Sequence, residues 1–214
     1  MICLAKFKNR FMKNNPISVF GRWAEDGRDE GMAEGHLPAV DHMLEVALDG
    51  LKNFRFIDAG CGNGWVVRKV SQLPECKDAH GVDGAEKMIE KATSLDTKNT
   101  YECANLMSWQ PKETADLVHS MEVFYYVSHP DQLIQNIYKN WLKKNGRLIM
   151  GVDFYTENTV SHSWPEDCGI AGMQLFSEAE WCALFEKAGF TEVRSWRFNA
   201  KEGWAGTLVI MGIK

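Results

Sequence analysis

Phe54-Arg55-Phe56-Ile57-Asp58-Ala59-Gly60-Cys61-Gly62-Asn63-Gly64-Trp65 decides how the rest of the chain is read. An apolar run with β character ends in an acid, and three glycines follow at alternate positions. Val66-Val67-Arg68-Lys69-Val70 then takes up helical spacing. Strand, glycine turn and helix in that order let a backbone approach a nucleotide-like ligand closely. The dinucleotide fingerprint G-x-G-x-x-G requires a third glycine so that the helix packs tightly on the strand. Counted from Gly60, that position is Trp65, about the worst substitute available, so the nucleotide-phosphate reading is disfavoured. Asp58, at the strand end, can instead hold an ammonium group or order the glycine loop from beneath.

The competing reading is S-adenosylmethionine (SAM), and a second stretch supports it. Ala79-His80-Gly81-Val82-Asp83-Gly84-Ala85-Glu86-Lys87-Met88 reads as a short strand ending in Asp83, then a helix with Met88, Ile89, Ala92 and Leu95 on its apolar face. Asp83 lies a little over twenty positions beyond Gly60. An acid there, at the tip of the second strand, can accept hydrogen bonds from both hydroxyls of a ribose. Together IDAGCGNG and GVDGAEKMIEKA resemble motif I and the acidic second motif of class I SAM-dependent methyltransferases. The resemblance implies SAM as cofactor and S-adenosylhomocysteine (SAH) as product.

Composition narrows the remaining classes. A chain of 214 residues suits one domain with a small lid. Hydrophobic content of 45% and charged content of 25% are those of an ordinary globular protein. A net charge of −5 gives no electrostatic footprint for nucleic acid. The six cysteines (Cys3, Cys61, Cys76, Cys103, Cys168 and Cys182) are scattered, without C-x-x-C or Cys/His pairing, so neither disulfide nor metal is expected. No apolar run is long enough to span a membrane, and charge breaks up the N-terminus, which leaves the cytoplasm as the expected location. No motif encodes an oligomeric state.

Outward from the glycine loop, the chain alternates strands with helices. Lys6, Lys8, Arg10 and Lys13 interleave with Phe7, Phe11 and Met12 as a short basic amphipathic helix. Residues 20–36 mix glycines with Trp23, Asp26, Arg28, Asp29, Met32 and His36, and read as a lid or entrance loop. Residues 1–36 are accordingly expected to form an N-terminal substrate-entrance segment, ahead of a SAM-binding domain over 37–214. Apolar spacing predicts a helix over 37–51. Further strands are expected at 101–104, 115–122 and 147–153. Pro130 opens a helix, and Ser177 and Glu180 are spaced as a capping box for another that stops at Gly189. Irregular residues at about 154–176 read as a substrate insert. Strands over 192–198 and 207–213 close the chain as an antiparallel pair. The resulting α/β fold is a seven-stranded, mostly parallel, Rossmann-like sheet with one antiparallel strand and helices on both faces.

What the resemblance implies for the site can be written residue by residue. Asp58, Gly60, Cys61, Gly62 and Gly64 cradle the methionyl part of the cofactor, and Asp83, with Gly84 beside it, holds the ribose. Asn105, with Leu106 and Met107, takes the adenine end, where the family often carries an aspartate. Ser120 adjoins from the fourth strand. Candidate proton acceptors near the strand tips are Glu122, His129, Asp153 and His36. After the fourth strand, Ser120-Met121-Glu122-Val123-Phe124-Tyr125-Tyr126-Val127 stands in place of D/N-P-P-Y/F, and resembles the UbiE-like small-molecule group. Such enzymes build the acceptor pocket from the N-terminal segment and the insert after strand 5. Candidate substrate residues are therefore Trp23, Arg28, Tyr126, Trp164 and Trp204. Aromatic walls with acids such as Asp26, Glu122, Asp153 and Glu166 suit an amine or other cationic acceptor. The competing functions are a protein or tRNA methyltransferase, and a SAM-binding protein without catalysis.

Overall fold

A computed structural model describes residues 14–214. The basic N-terminal stretch expected as a helix, and Cys3, lie outside the described residues. The helices are α1 (Pro16–Glu25), α2 (Arg28–Leu48), α3 (Trp65–Val70), α4 (Glu86–Leu95), α5 (Pro130–Asn136), α6 (Trp164–Asp167) and α7 (Glu178–Ala188). The strands are β1 (Phe54–Ala59), β2 (Cys76–Asp83), β3 (Thr100–Cys103), β4 (Ala115–Met121), β5 (Leu142–Val152), β6 (Thr191–Phe198) and β7 (Thr207–Ile213). They form one sheet in the order β3-β2-β1-β4-β5-β7-β6, with β7 antiparallel to both its neighbours and all other pairs parallel.

Both faces of the sheet are buried, and side chains alternate between them along each central strand. Ile57, Val118, Leu148, Met150, Leu208 and Ile210 join the core beneath α5 and α7. Phe56, Leu117, Ile149, Val209 and Met211 join the core beneath α2 and α3. On that second face, the positions two residues after Phe56 and Leu117 are not apolar: they are Asp58 and His119, both buried. They sit opposite one another in the β1–β4 register. This is where the strand order reverses, the crevice at which open α/β sheets bind ligands.

Local sequence explains several ends. Ser177 and Glu180 form the expected capping box, and Gly189 closes α7 with φ 107°. Asn145 takes φ 64° in the hairpin-like bend within β5, which begins at Leu142, earlier than the expected 147. The larger difference lies at the N-terminal side. The loop expected over 20–36 is helical: α1 and α2 are separated by Gly27 at φ 73°, and α2 runs unbroken through 36 and 37. Gly31 and Gly35 face open space, so the missing side chains cost propensity without removing packing. The helix is held by burial of Ala39, Val40, Met43, Leu44 and Ala47 on the sheet. The insert at 154–176 is also less irregular than expected, with a 3₁₀ turn at Thr159–Ser161 and the short α6. Among the described residues no helix is long and apolar enough to cross a membrane.

Candidate functional site

A cleft of about 380 Å³ opens over the carboxyl ends of β1, β2 and β4, roofed by α1 and the first half of α2. Its floor is the glycine loop. Gly60 N and Cys61 N both donate to Val82 O (2.7 and 3.1 Å), and Gly62 N donates to Asp83 Oδ2 at 2.9 Å. The tip of β2 therefore holds the loop that follows β1. Gly60 has φ 82°, and a Cβ there would run into the Val123 side chain. At Gly62 the nearest atom to an added Cβ is Met88 Sδ at 3.9 Å, so the absent side chain leaves that space to the cleft. Asp83 Oδ1 also accepts from Ala85 N at 2.7 Å. Each carboxylate oxygen keeps a further lone pair for a ligand hydroxyl. Burial pushes the Asp83 carboxyl up, and its backbone hydrogen bonds pull it back. Burial also pushes the Cys61 thiol up, with Asp83 and Asp58 adding to it, so Cys61 stays protonated.

At the other end of the cleft, three side chains converge from three elements. His36 of α2, Glu122 after β4 and Asp153 after β5 place one donor atom each within 4.8 Å of one another. His36 Nε2 lies 3.9 Å from Asp153 Oδ2. Glu122 accepts from Asp153 N through Oε1, and from Tyr125 OH through Oε2 at 2.7 Å. Its backbone is left-handed, φ 60°, a costly conformation for a non-glycine residue that is concentrated at functional sites. Asp153 Oδ1 is buried and has no hydrogen-bond partner among the described residues. Desolvation raises the Asp153 carboxyl to about 6 and lowers the His36 imidazole to about 4. Desolvation, and then the neighbouring Asp153, push Glu122 well above the usual carboxylate range. Two crowded acids beside a neutral imidazole make a site that lacks a positive charge. An ammonium group or a divalent cation would each answer that chemistry.

The cleft brings together many of the expected residues: Asp58, Gly60, Cys61, Gly62, Asp83, Gly84, Asn105, Leu106, His36, Glu122 and Tyr126 all line it. Asn105 Oδ1 already accepts from Met107 N at 3.0 Å, in a local turn. Asp153 stands one residue behind the wall, reached through His36 and Glu122. Several others fall elsewhere, for stated reasons. Gly64 is the residue before α3, and a Cβ there would clash with Tyr101, so it serves packing and not the cleft. Ser120 is buried and donates to Ala59 O at 2.8 Å, bracing β1 against β4. Met107 packs against the core. His129 is exposed at the start of α5, and Arg28 is exposed at the start of α2. Trp164 packs on the core from α6, and Trp204 sits in the β6–β7 turn, bonded to Lys201. Trp23 forms a second layer: its ring lies 5.2 Å from Phe20, whose ring lies 5.0 Å from Tyr126 in the cleft wall.

Two residues escaped the sequence reading as members of the site. Asp29 is buried; it accepts from Asn63 Nδ2 at 2.7 Å and from Lys91 Nζ at 2.9 Å. It thus latches α2 to the glycine loop and to α4. His119 meets Asp58, with Nδ1 2.8 Å from Oδ1. The available signal was a lone polar residue inside the otherwise apolar run Leu117-Val118-His119, at the position matching Asp58.

Comparison with known proteins agrees with the topology. The family described as Methyltransferase domain matches residues 18–195. Trans-aconitate 2-methyltransferase of Rhizobium etli is 34% identical over 156 residues, 71% of this chain and 55% of that protein. Malonyl-[acyl-carrier protein] O-methyltransferase of Bacillus cereus is 29% identical over 109 residues, 50% of this chain and 40% of that protein. The chain thus spans about half the length of these curated relatives, or less. Among solved structures, the complex between the Haloferax volcanii Trm112 methyltransferase activator and a methyltransferase gives a TM-score of 0.77 at 27% identity. That match covers 91% of this chain and 96% of the other. The N-methyltransferase NodS of Bradyrhizobium japonicum, bound to SAH, matches in fold with a TM-score of 0.65 at 18% identity, covering 81% and 84%.

Proposed function

This chain belongs to the Methyltransferase domain family, and from that premise we propose that it transfers a methyl group from SAM to a small-molecule amine in the cytoplasm. The observation that carries the acceptor class is the charge of the cleft. Among the described residues its lining includes the carboxylates Asp29, Asp58, Asp83 and Glu122, and no lysine or arginine. Asp29 is paired with Lys91, but acids such as those named in the curated relatives would still meet like charge along the rest of this lining, whereas an ammonium group would be drawn in. Phe20 and Tyr126 add aromatic faces beside Glu122, suited to a cation. α1 and α2 act as the entrance segment.

In this reading Asp83 holds the ribose, the Gly60–Gly62 backbone passes the methionyl chain, and Asp58 faces its ammonium. When bound, SAM supplies an electrophilic methyl on a sulfonium, and the neutral thioether of SAH is the leaving group. The protein contributes alignment and exclusion of water. Glu122 and Asp153 draw the acceptor ammonium to the far end of the cleft. Asp153, raised to about 6, is a better proton acceptor than His36 at about 4. The acid pair, with Glu122 lining the cleft and Asp153 behind it, takes the ammonium proton and frees the nitrogen lone pair for attack.

The test is methyl transfer from label-carrying SAM to two acceptor panels, small amines and small carboxylic acids, with a fractionated extract alongside. Label in amines, lost in Asp83→Ala, is the expected result. Label in acids alone would refute the amine assignment. Label in protein or RNA would replace the small-molecule reading.

A further inference from the structure

Buried polar groups on an apolar sheet face need a reason, because each carries a desolvation cost. On the α2 face of this sheet, the polar pair at the switch point is Asp58 and His119, 2% and 0% exposed. Both border the cleft. His119 Nδ1 lies 2.8 Å from Asp58 Oδ1, and Nε2 is buried without a hydrogen-bond partner among the described residues. Phe56 packs beside the imidazole, at 6.1 Å between ring centroids. The one hydrogen bond of this buried imidazole goes to a single acid at the edge of the cleft.

We propose that His119 is a positioning residue for cofactor recognition: it fixes the Asp58 carboxylate toward the ammonium of the SAM methionyl chain. The proposal rests on the reading of Asp58 as the acid that faces that ammonium. A carboxylate oxygen accepts, so Nδ1 carries the hydrogen in this contact. That hydrogen bond fixes the rotation of the carboxylate. A lysine or arginine at the same place would neutralise it. An apolar residue would leave it alone in a hydrophobic layer, where it would protonate or turn away.

The experiment compares two probes by calorimetry. SAH carries the amino-acid moiety, and 5′-methylthioadenosine lacks it while keeping the adenosine thioether. His119→Leu should weaken SAH at least tenfold and leave 5′-methylthioadenosine within twofold. Retained binding of the second probe also reports that the variant is folded. His119→Asn, whose amide N–H can occupy the place of Nδ1–H, should recover SAH to within about threefold of the parent. His119→Gln places its donor further out, and should not recover it even if the leucine variant fails to fold. Equal weakening of both probes, or recovery by Gln and Asn alike, would overturn the proposal. Asp58→Asn separates the two layers of the argument. If it leaves the SAH to 5′-methylthioadenosine ratio unchanged, the role given to Asp58 fails and the His119 proposal falls with it. If it lowers the ratio while His119→Leu does not, His119 alone is refuted.

Discussion

Between pH about 4 and 6, the native protein keeps a proton on Asp153 that the unfolded chain has released. Raising the pH through that window therefore removes stability. His36, lowered from 6.5 to about 4, works in the opposite sense: the unfolded chain holds the proton, and raising the pH returns stability. The two contributions offset one another in the parent. Asp153→Asn removes one of the raised acids and leaves Glu122 and His36, so its melting temperature should rise relative to the parent's from pH 4 to 6.5 and exceed it at pH 7. A gain of about 1–2 kcal/mol corresponds to about 2–8 °C for a chain of this size. Scanning fluorimetry across pH checks this; a variant less stable than the parent at pH 7 would contradict it. The same substitution should abolish the fall in kcat/KM for an amine that the parent shows below pH about 6. At this scale Asp58 and Asp83 were legible because acids at successive strand tips have few other uses. Glu122, Asp153 and His36 were each visible as candidates, yet their convergence was not, because it depends on three elements far apart in the chain. Gly64 and Ser120 lie off the cleft lining, where the one meets Tyr101 and the other donates to Ala59 O.

At the scale of the element, α2 is where pattern and structure part. Its second half has a clear apolar face, and that half was legible. Its first half carries glycines and charges that read as a loop, and it becomes helical through contacts made elsewhere. Asp29 supplies the decisive one, reaching Asn63 in the glycine loop and Lys91 in α4. Lys91 also pairs with Glu30 at 2.9 Å, so the latch has an exposed as well as a buried strand. Asp29→Ala strands the Asn63 amide and should cost about 1–3 kcal/mol. The loss should be local: faster amide exchange over residues 28–36, and faster dissociation of SAH, with exchange in β1, β4 and β5 unchanged. Uniform loss of protection across the sheet would mean that the latch supports the whole fold instead.

For the whole molecule, the alternation of strands and helices and the reversed final strand were legible because parallel sheets buried on both faces leave continuous apolar runs. The strand order, with β1 beside β4, comes from the structure. The charge of the cleft was only partly legible: the acids could be counted, but the absence of lysine and arginine among its described lining residues is a property of the assembled surface. If the cleft is preformed, SAH at a hundred times its dissociation constant should add about 2.7 kcal/mol, or about 5–10 °C in melting temperature. No shift with SAH, measured at saturating concentration, would remove the basis for the site.

The place of β7 between β5 and β6 bears on how the protein is made. β7 is the last strand of the sheet in chain order, yet it fills an interior position. On the ribosome, β1 to β5 can associate as they emerge, but β6 has no neighbour until β7 follows it out of the exit tunnel. During that interval the edge of β5, with Ile149 and Met150 among its apolar residues, is open to other chains. A nascent chain arrested before residue 207 should therefore depend on chaperones, and release of β7 should end that dependence in one step.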